Sequence, residues 1–194
     1  MYKRQEEPIA TANEDAIDRL SELADAFLLH NRAIHIRCDD SVMKALPTHV
    51  LPFRRSRGYA PYPVPLPFSS PPLLATGAEL KNTFCLARDR HAFMSQHIGD
   101  LSNYDALRSY QHSIEHLSRL FRVEPEIIAH DVHPDYIATR YAAGRPENKI
   151  AVQHHHAHLA SCLAEQRLPP EEPITRRWQA RNSRPRRAGE PAGR

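Results

Sequence analysis

The 194 residues carry 26 Lys and Arg against 23 Asp and Glu, a net charge of +3, with 41% hydrophobic and 25% charged residues. That balance suits a globular, water-soluble fold, and no apolar run reaches the ~20 residues that span a bilayer. The positive excess sits at one end: from Gln166 onward there are eight Arg and three Glu, so residues 1–165 keep 18 basic and 20 acidic side chains, a balance of −2. A nucleic-acid-binding reading would therefore rest on the tail. The N-terminus lacks the apolar stretch of a signal peptide, and Cys38, Cys85 and Cys162 form no Cys-x-x-Cys pair. Reduced thiols in the cytoplasm are the expectation.

Met1-Tyr2-Lys3-Arg4-Gln5 is what GTG-TAT-AAG-AGA-CAG encodes when GTG is read as a start, the end of a transposon used to fragment DNA for sequencing. Residues 1–5 are expected to be non-native, with an ordinary polar N-terminus as the alternative. Next, Ile17, Leu20, Leu23, Ala24, Phe27 and Leu28 have helical spacing, which predicts a helix over Glu14 to His30 capped by Asn13. Ala33 to Arg37 alternates like a strand, and Val50 to Arg54 is a second. Six prolines between Pro61 and Pro72 remove the amide donors a helix or central strand needs, so an extended linker and a domain boundary are placed there.

Beyond the linker, Leu73 to Leu80, Thr83 to Arg88 and His91 to His97 read as three short strands. A helix follows over Asn103 to Phe121, with Leu107, Ile114, Leu117 and Leu120 facing inward. Glu126 to His130 is a strand, Pro134 to Ala143 a short helix, Lys149 to Gln153 a strand, and His154 to Gln166 a last helix. The order predicts a mixed α/β domain of the ribonuclease H or actin-like type, cut off before its sheet is complete. Thr175 to Arg194 lacks hydrophobic periodicity and is rich in Arg, Pro, Ala and Gly. It is expected to be disordered, either through an out-of-frame reading of GC-rich DNA or as an RNA-binding basic tail.

Several segments carry groups that can do chemistry. In Val152-Gln153-His154-His155-His156-Ala157-His158, His154 and His158 stand one helical turn apart and can share a divalent metal ion. His155 with His158 is the geometric rival, and surface histidines without a metal are the plain alternative. Two imidazoles suit zinc or ferrous iron, completed by oxygen ligands from elsewhere. In Gly77-Ala78-Glu79-Leu80-Lys81-Asn82-Thr83, turn amides with a lysine can hold phosphate oxygens, or the segment is an ordinary hairpin. His130, Asp131 and His133 follow a buried strand, where α/β sheets place a ligand crevice; Asp131 or Asp135 could equally cap the next helix. Ser41, and Arg55 within Arg54-Arg55-Ser56-Arg57, offer a hydroxyl and guanidinium groups suited to phosphates.

Taken in order, EPIATANEDA, ADAFLLHNRAIHIRCDDSV, RRSRGYAP, GAELKNTFCLARD, SQHIGDL, AHDVHPDYIATRYA and VQHHHAHLA resemble the HypF family, the carbamoyltransferases of nickel–iron hydrogenase maturation. The resemblance runs from about Glu7 to Glu165. It implies that residues 6–62 are the C-terminal part of a YrdC-like domain, 63–72 a linker, and 73–166 the N-terminal part of a Kae1-like domain, with 167–194 a disordered, frameshifted tail. It further implies carbamoyl phosphate and ATP as substrates, passing through carbamate and carbamoyl adenylate, and HypE as the partner carbamoylated on its C-terminal cysteine. Ser41 and Arg55 match positions near the ATP phosphates. Glu79, Lys81 and Asn82 match a nucleotide-facing hairpin, and His154 and His158 the two metal-binding histidines. The front of the family's architecture and its Phe-Asp-Gly-Thr-Gly segment are missing, so the chain is expected to be an inactive fragment. A tRNA threonylcarbamoyl transferase relative, and a non-enzymatic metal- or nucleic-acid-binding protein, are the alternatives.

Overall fold

The structure is a computed structural model that describes residues 9–165. The expectations for residues 1–5 and for the tail from 167 lie outside the described residues.

The first elements are small. Helix α1 runs Asn13–Leu20 and buries none of its residues. It stops well short of the expected His30, because Leu23 and Leu28 beyond it are 75% and 103% exposed and a short helix needs a packed face to persist. Asn13 does not cap it. The Asn13 side chain instead pairs with the His30 backbone, donating to its carbonyl at 2.7 Å and accepting from its amide at 3.4 Å. Ala33 to Arg37 is coil rather than strand; it meets no ladder partner among the described residues, and the Arg37 carbonyl accepts from Gln96 Nε2 at 3.2 Å. Strands β1 (Val42–Ala45) and β2 (Val50–Arg54) form an antiparallel ribbon.

The proline run is extended, as its missing donors dictate, but it is not free. It lies within the 13-residue strand β3 (Pro63–Ala75), paired antiparallel with β4 (Cys85–Met94). Its other neighbour, β5 (Ile127–Asp131), reaches only Leu73–Ala75. The prolines from 63 to 72 thus occupy the part of β3 with an open side, where a missing amide breaks no ladder. Strand β4 merges two expected strands: the chain runs on through Arg88-Asp89-Arg90, with Asp89 at φ 54° opposite Ser70 and the register shifting on either side of that pair.

Helix α2 (Tyr104–Phe121) follows its sequence signals closely. Asn103 caps it, accepting from the amides of Asp105 and Ala106, and Arg122 closes it in the left-handed region. Ala106, Tyr110, Ile114 and Leu117 are buried at helical spacing, whereas Leu120 is 56% exposed. Tyr110, Ile114 and Leu117 pack with Leu74, Phe84, Leu86, Leu101, Val123 and Ile128 to form the core, where truncating one large aliphatic side chain to alanine costs roughly 2–5 kcal/mol. Strand β5, helix α3 (Ile137–Ala143) and strand β6 (Asn148–Val152) make a parallel βαβ unit. The sheet order is β4-β3-β5-β6, and helix α4 (His154–Glu165) leaves the edge strand β6. The result is the expected mixed α/β fold.

Candidate functional site

Strands β3, β5 and β6 run parallel, so their carboxyl ends meet at one edge of the sheet. A cavity of ≈ 390 Å³ opens there, between Ala75, Ala129, His130, Asp131 and Val152 on the sheet, the 77–83 loop, and the first turns of α4. This is the place where open α/β sheets form ligand crevices, because chain leaving each strand end carries side chains to one side.

The loop wall is built around Gly77 and Asn82. Gly77 sits at φ 73°, and a Cβ there would lie 2.3 Å from the Thr83 carbonyl oxygen and 2.8 Å from Asn82 Nδ2. Only glycine fits that approach. Asn82 is 1% exposed; its Nδ2 donates to the Thr76 carbonyl at 3.1 Å and also to the Ala78 carbonyl. Its backbone pairs with Gly99 and Ile98. Asn82 Oδ1 is buried without a hydrogen-bond partner and belongs to a residue lining the cavity. Tyr110 donates its hydroxyl to the same Thr76 carbonyl at 3.0 Å, so the loop is tied to the core. Lys81, held at φ 51°, lines the cavity with no carboxylate in ion-pairing distance among the described residues.

The facing wall is the histidine pair. His154 Nδ1 lies 2.8 Å from Asp131 Oδ2. A carboxylate can only accept, so Nδ1 carries the proton and the lone pair is left on Nε2. That Nε2 is 3.2 Å from Nε2 of His158, one turn along α4, with the ring centroids 4.8 Å apart. An ion ~2.0–2.1 Å from both nitrogens would subtend about 100° between them, near the tetrahedral value. The pair therefore fits a divalent metal. Asp131 is the group behind it, 9% exposed: Oδ2 orients His154, Oδ1 accepts from the His133 amide at 2.9 Å, and its carbonyl accepts from Thr139 Oγ1 at 3.0 Å. Such a carboxylate–imidazole contact fixes the tautomer of a ligating histidine. Among the described residues no group of three His, Cys, Asp or Glu side chains converges on one ion, so the other ligands would come from elsewhere. His155 makes no comparable contact with His158; its ring lies 6.3 Å from that of His154.

The structure thus gathers Lys81, Asn82, His130, Asp131, His154 and His158 around one cavity. Other expected site residues lie elsewhere. Glu79 Oε2 accepts from the Ile137 amide at 2.7 Å, supplying the cap that Tyr136 does not give α3. His133 stacks on Tyr136 at 4.3 Å. Ser41 Oγ accepts from the Ser56 amide at 2.8 Å and donates to the Arg57 carbonyl at 2.9 Å. Arg55 donates to the carbonyls of Tyr59 and Tyr62. Asp131 as the orienter of His154, and Gly77 as the loop's close contact, were not legible as such; only the glycine hinted at its role. Burial pushes the Cys85 thiol up to about 12, which leaves that cysteine an inert packing group.

Residues 68–165 match the family model described as the HypF Kae1-like domain. The chain belongs to the HypF family. It is 47% identical over 168 residues to carbamoyltransferase HypF2 of Cupriavidus necator, covering 82% of this chain and 21% of that protein. It is 45% identical over 162 residues to carbamoyltransferase HypF of Rhizobium leguminosarum bv. viciae, covering 84% and 21%. Among solved structures, full-length HypF in the phosphate- and nucleotide-bound form superposes with a TM-score of 0.79 at 49% identity, covering 84% of this chain and 26% of that one. The HypF of T. kodakarensis superposes at 0.75 with 38% identity, covering 83% and 22%. The chain thus spans about a fifth of the length of these HypF relatives.

Proposed function

We propose that this chain is a segment of a carbamoyltransferase of nickel–iron hydrogenase maturation, joining the end of a YrdC-like domain to the start of a Kae1-like domain. In this reading the longer protein hydrolyses carbamoyl phosphate to carbamate and phosphate, and a carbamate oxygen bonds to the α-phosphorus of ATP as pyrophosphate leaves, giving carbamoyl adenylate. It then transfers the carbamoyl group to the C-terminal cysteine of HypE: the thiolate sulfur bonds to the carbamoyl carbon, the bond from that carbon to the phosphate oxygen breaks, and AMP leaves. The observation that carries the reading is the pair of Nε2 atoms 3.2 Å apart at a strand-end cavity that Lys81 also lines, in a HypF-family chain.

A zinc or ferrous ion held by His154 and His158 would supply Lewis acidity at this cavity. Asp131 keeps the His154 proton on Nδ1, so that Nε2 is free to ligate. The Lys81 ammonium meets phosphate oxygens of the nucleotide, and the loop tied down by Gly77 and Asn82 keeps that ammonium in place. Glu79 braces α3 rather than touching the nucleotide. Ser41 and Arg55 serve ATP in the YrdC-like part, beside the 56–62 turn that they hydrogen-bond. No helix among the described residues is long and apolar enough to cross a membrane.

The test is a reconstitution with HypE, ATP and carbamoyl phosphate, comparing a full-length relative with its versions altered at the positions of His154, His158 and Lys81. Mass spectrometry should find one carbamoyl group on the HypE terminal cysteine, lost in all three variants. Transfer that survives all three substitutions would overturn the assignment of this cavity.

A further inference from the structure

A second cavity, of ≈ 460 Å³, lies where residues 34–37 cross the first half of α2, and it shares no residue with the strand-end cavity. The segment is seated by polar contacts. Gln96 Nε2 bridges the Arg37 carbonyl and Ser113 Oγ, and Arg19 of α1 pairs with Asp105 of α2 at 2.9 Å. The His35 ring meets His116 and His112 edge-on, with centroids 5.0 and 6.0 Å away.

Arg37 is the group this packing leaves unsatisfied. Its Nε is buried and has no hydrogen-bond partner, and burial pushes the guanidinium pKa down. The carboxylates that act on it, Asp105 and Asp15, are both taken by Arg19, at 2.9 and 2.6 Å. A buried charged donor without an acceptor is costly. Arg108 lines the same cavity with its guanidinium 5.9 Å from the Tyr104 ring centroid, and His35 and His112 add ring nitrogens. Since Arg19 neutralises Asp105, the remaining opposing charge is Glu115. Two arginines line this cavity against the one lining carboxylate that Arg19 does not take, with imidazole nitrogens beside them, a composition that suits a tetrahedral oxyanion. Guanidinium forks match phosphate oxygens in pairs, and charge-assisted bonds of this kind are the strong ones.

We propose that this cavity binds a small oxyanion of the phosphate class, gripped by Arg37 and Arg108 with His35 and His112 as further donors. The ligand's charge compensates the Arg37 guanidinium, whose Nε the fold leaves unpaired. Binding also draws residues 34–37 onto α2, so occupancy couples the N-terminal segment to the domain behind it.

The experiment is calorimetric titration of the 194-residue chain with sulfate, followed by displacement with inorganic phosphate and with glycerol phosphate. One saturable site is expected, weakened at least about tenfold in Arg37→Gln. Arg37→Lys should also weaken it, because lysine keeps the charge but loses the fork. Lys44→Ala, on β1 and in neither cavity, should leave it unchanged, and matching thermal melts separate lost binding from lost fold. Displacement by glycerol phosphate assigns the site to phosphoryl esters, and displacement by inorganic phosphate alone to the free ion; either carries the proposal. Equal binding by Arg37→Gln and the parent chain, loss only in Lys44→Ala, or the absence of saturable binding overturns it.

Discussion

Replacing Asp131 by asparagine probes the logic of the histidine pair. The side chain keeps its size and its Oδ1, so the bond from the His133 amide at 2.9 Å survives, as does the Thr139 bond to the Asp131 carbonyl. What changes is the group facing His154 Nδ1 at 2.8 Å. An amide NH2 there donates, which drives the His154 proton from Nδ1 to Nε2 and removes the lone pair that would meet a metal. If the amide turns its oxygen toward His154 instead, the tautomer is kept, but its NH2 then faces the His133 amide, and that bond is lost along with the carboxylate's charge. Changes behind a ligating histidine cost about 10–100-fold in metal affinity, or roughly 1.4–2.8 kcal/mol. Because Asp131 is 9% exposed, water offers little compensation, and the upper part of that range is expected. Zinc competition against a chromogenic chelator reads the affinity, with a thermal melt as the fold control. An Asp131→Asn chain that binds zinc as tightly as the parent would refute the claim that Asp131 sets the His154 tautomer.

Gly77→Ala places a Cβ 2.3 Å from the Thr83 carbonyl oxygen at φ 73°; a loss of more than about 2 kcal/mol is expected, read by urea unfolding. Tyr110→Phe removes the donor to the Thr76 carbonyl, but Asn82 Nδ2 still serves that carbonyl. The cost should therefore be only about 0.5–1.5 kcal/mol, and a loss beyond 3 kcal/mol would mean that Asn82 does not hold the loop. Burial first, then Arg54, lowers the His97 pKa below its usual 6.5, and burial with His35 lowers that of His116. Below pH 6.5 the unfolded chain then binds more protons than the folded one, so stability falls as pH drops through 6.5 toward the lowered values. Melts across this range should show that slope, and glutamine at positions 97 and 116 together should flatten it.

How much the sequence disclosed depended on whether a signal was local. Helix α2 was legible almost to the residue because Asn103 caps it through its own side chain and its buried face repeats at helical spacing. The start of α4 at His154 and the one-turn spacing of its histidine pair were also legible, from the i, i+4 spacing alone. Helix α1 was over-extended because Leu23 and Leu28 have the spacing of a buried face but no neighbour to pack on. The prolines of β3 were read as a linker because whether an extended segment pairs is decided by β4, some twenty residues further on. At the site, Lys81, Asn82, His154 and His158 could be named from their motifs. That Glu79 turns away to cap α3, 58 residues further along the chain, and that Asp131 backs His154 are consequences of strand order that no local pattern encodes.

The most direct measurement is metal binding by three single alanine variants, at His154, His155 and His158, with zinc affinity and stoichiometry determined for each. Nε2 atoms 3.2 Å apart on His154 and His158 predict that either of those two substitutions weakens binding by two orders of magnitude or more, on the order of 3 kcal/mol. His155→Ala should bind like the parent. A His155→Ala chain that loses zinc as severely as His158→Ala, or a His154→Ala chain that keeps it, would contradict the site described above.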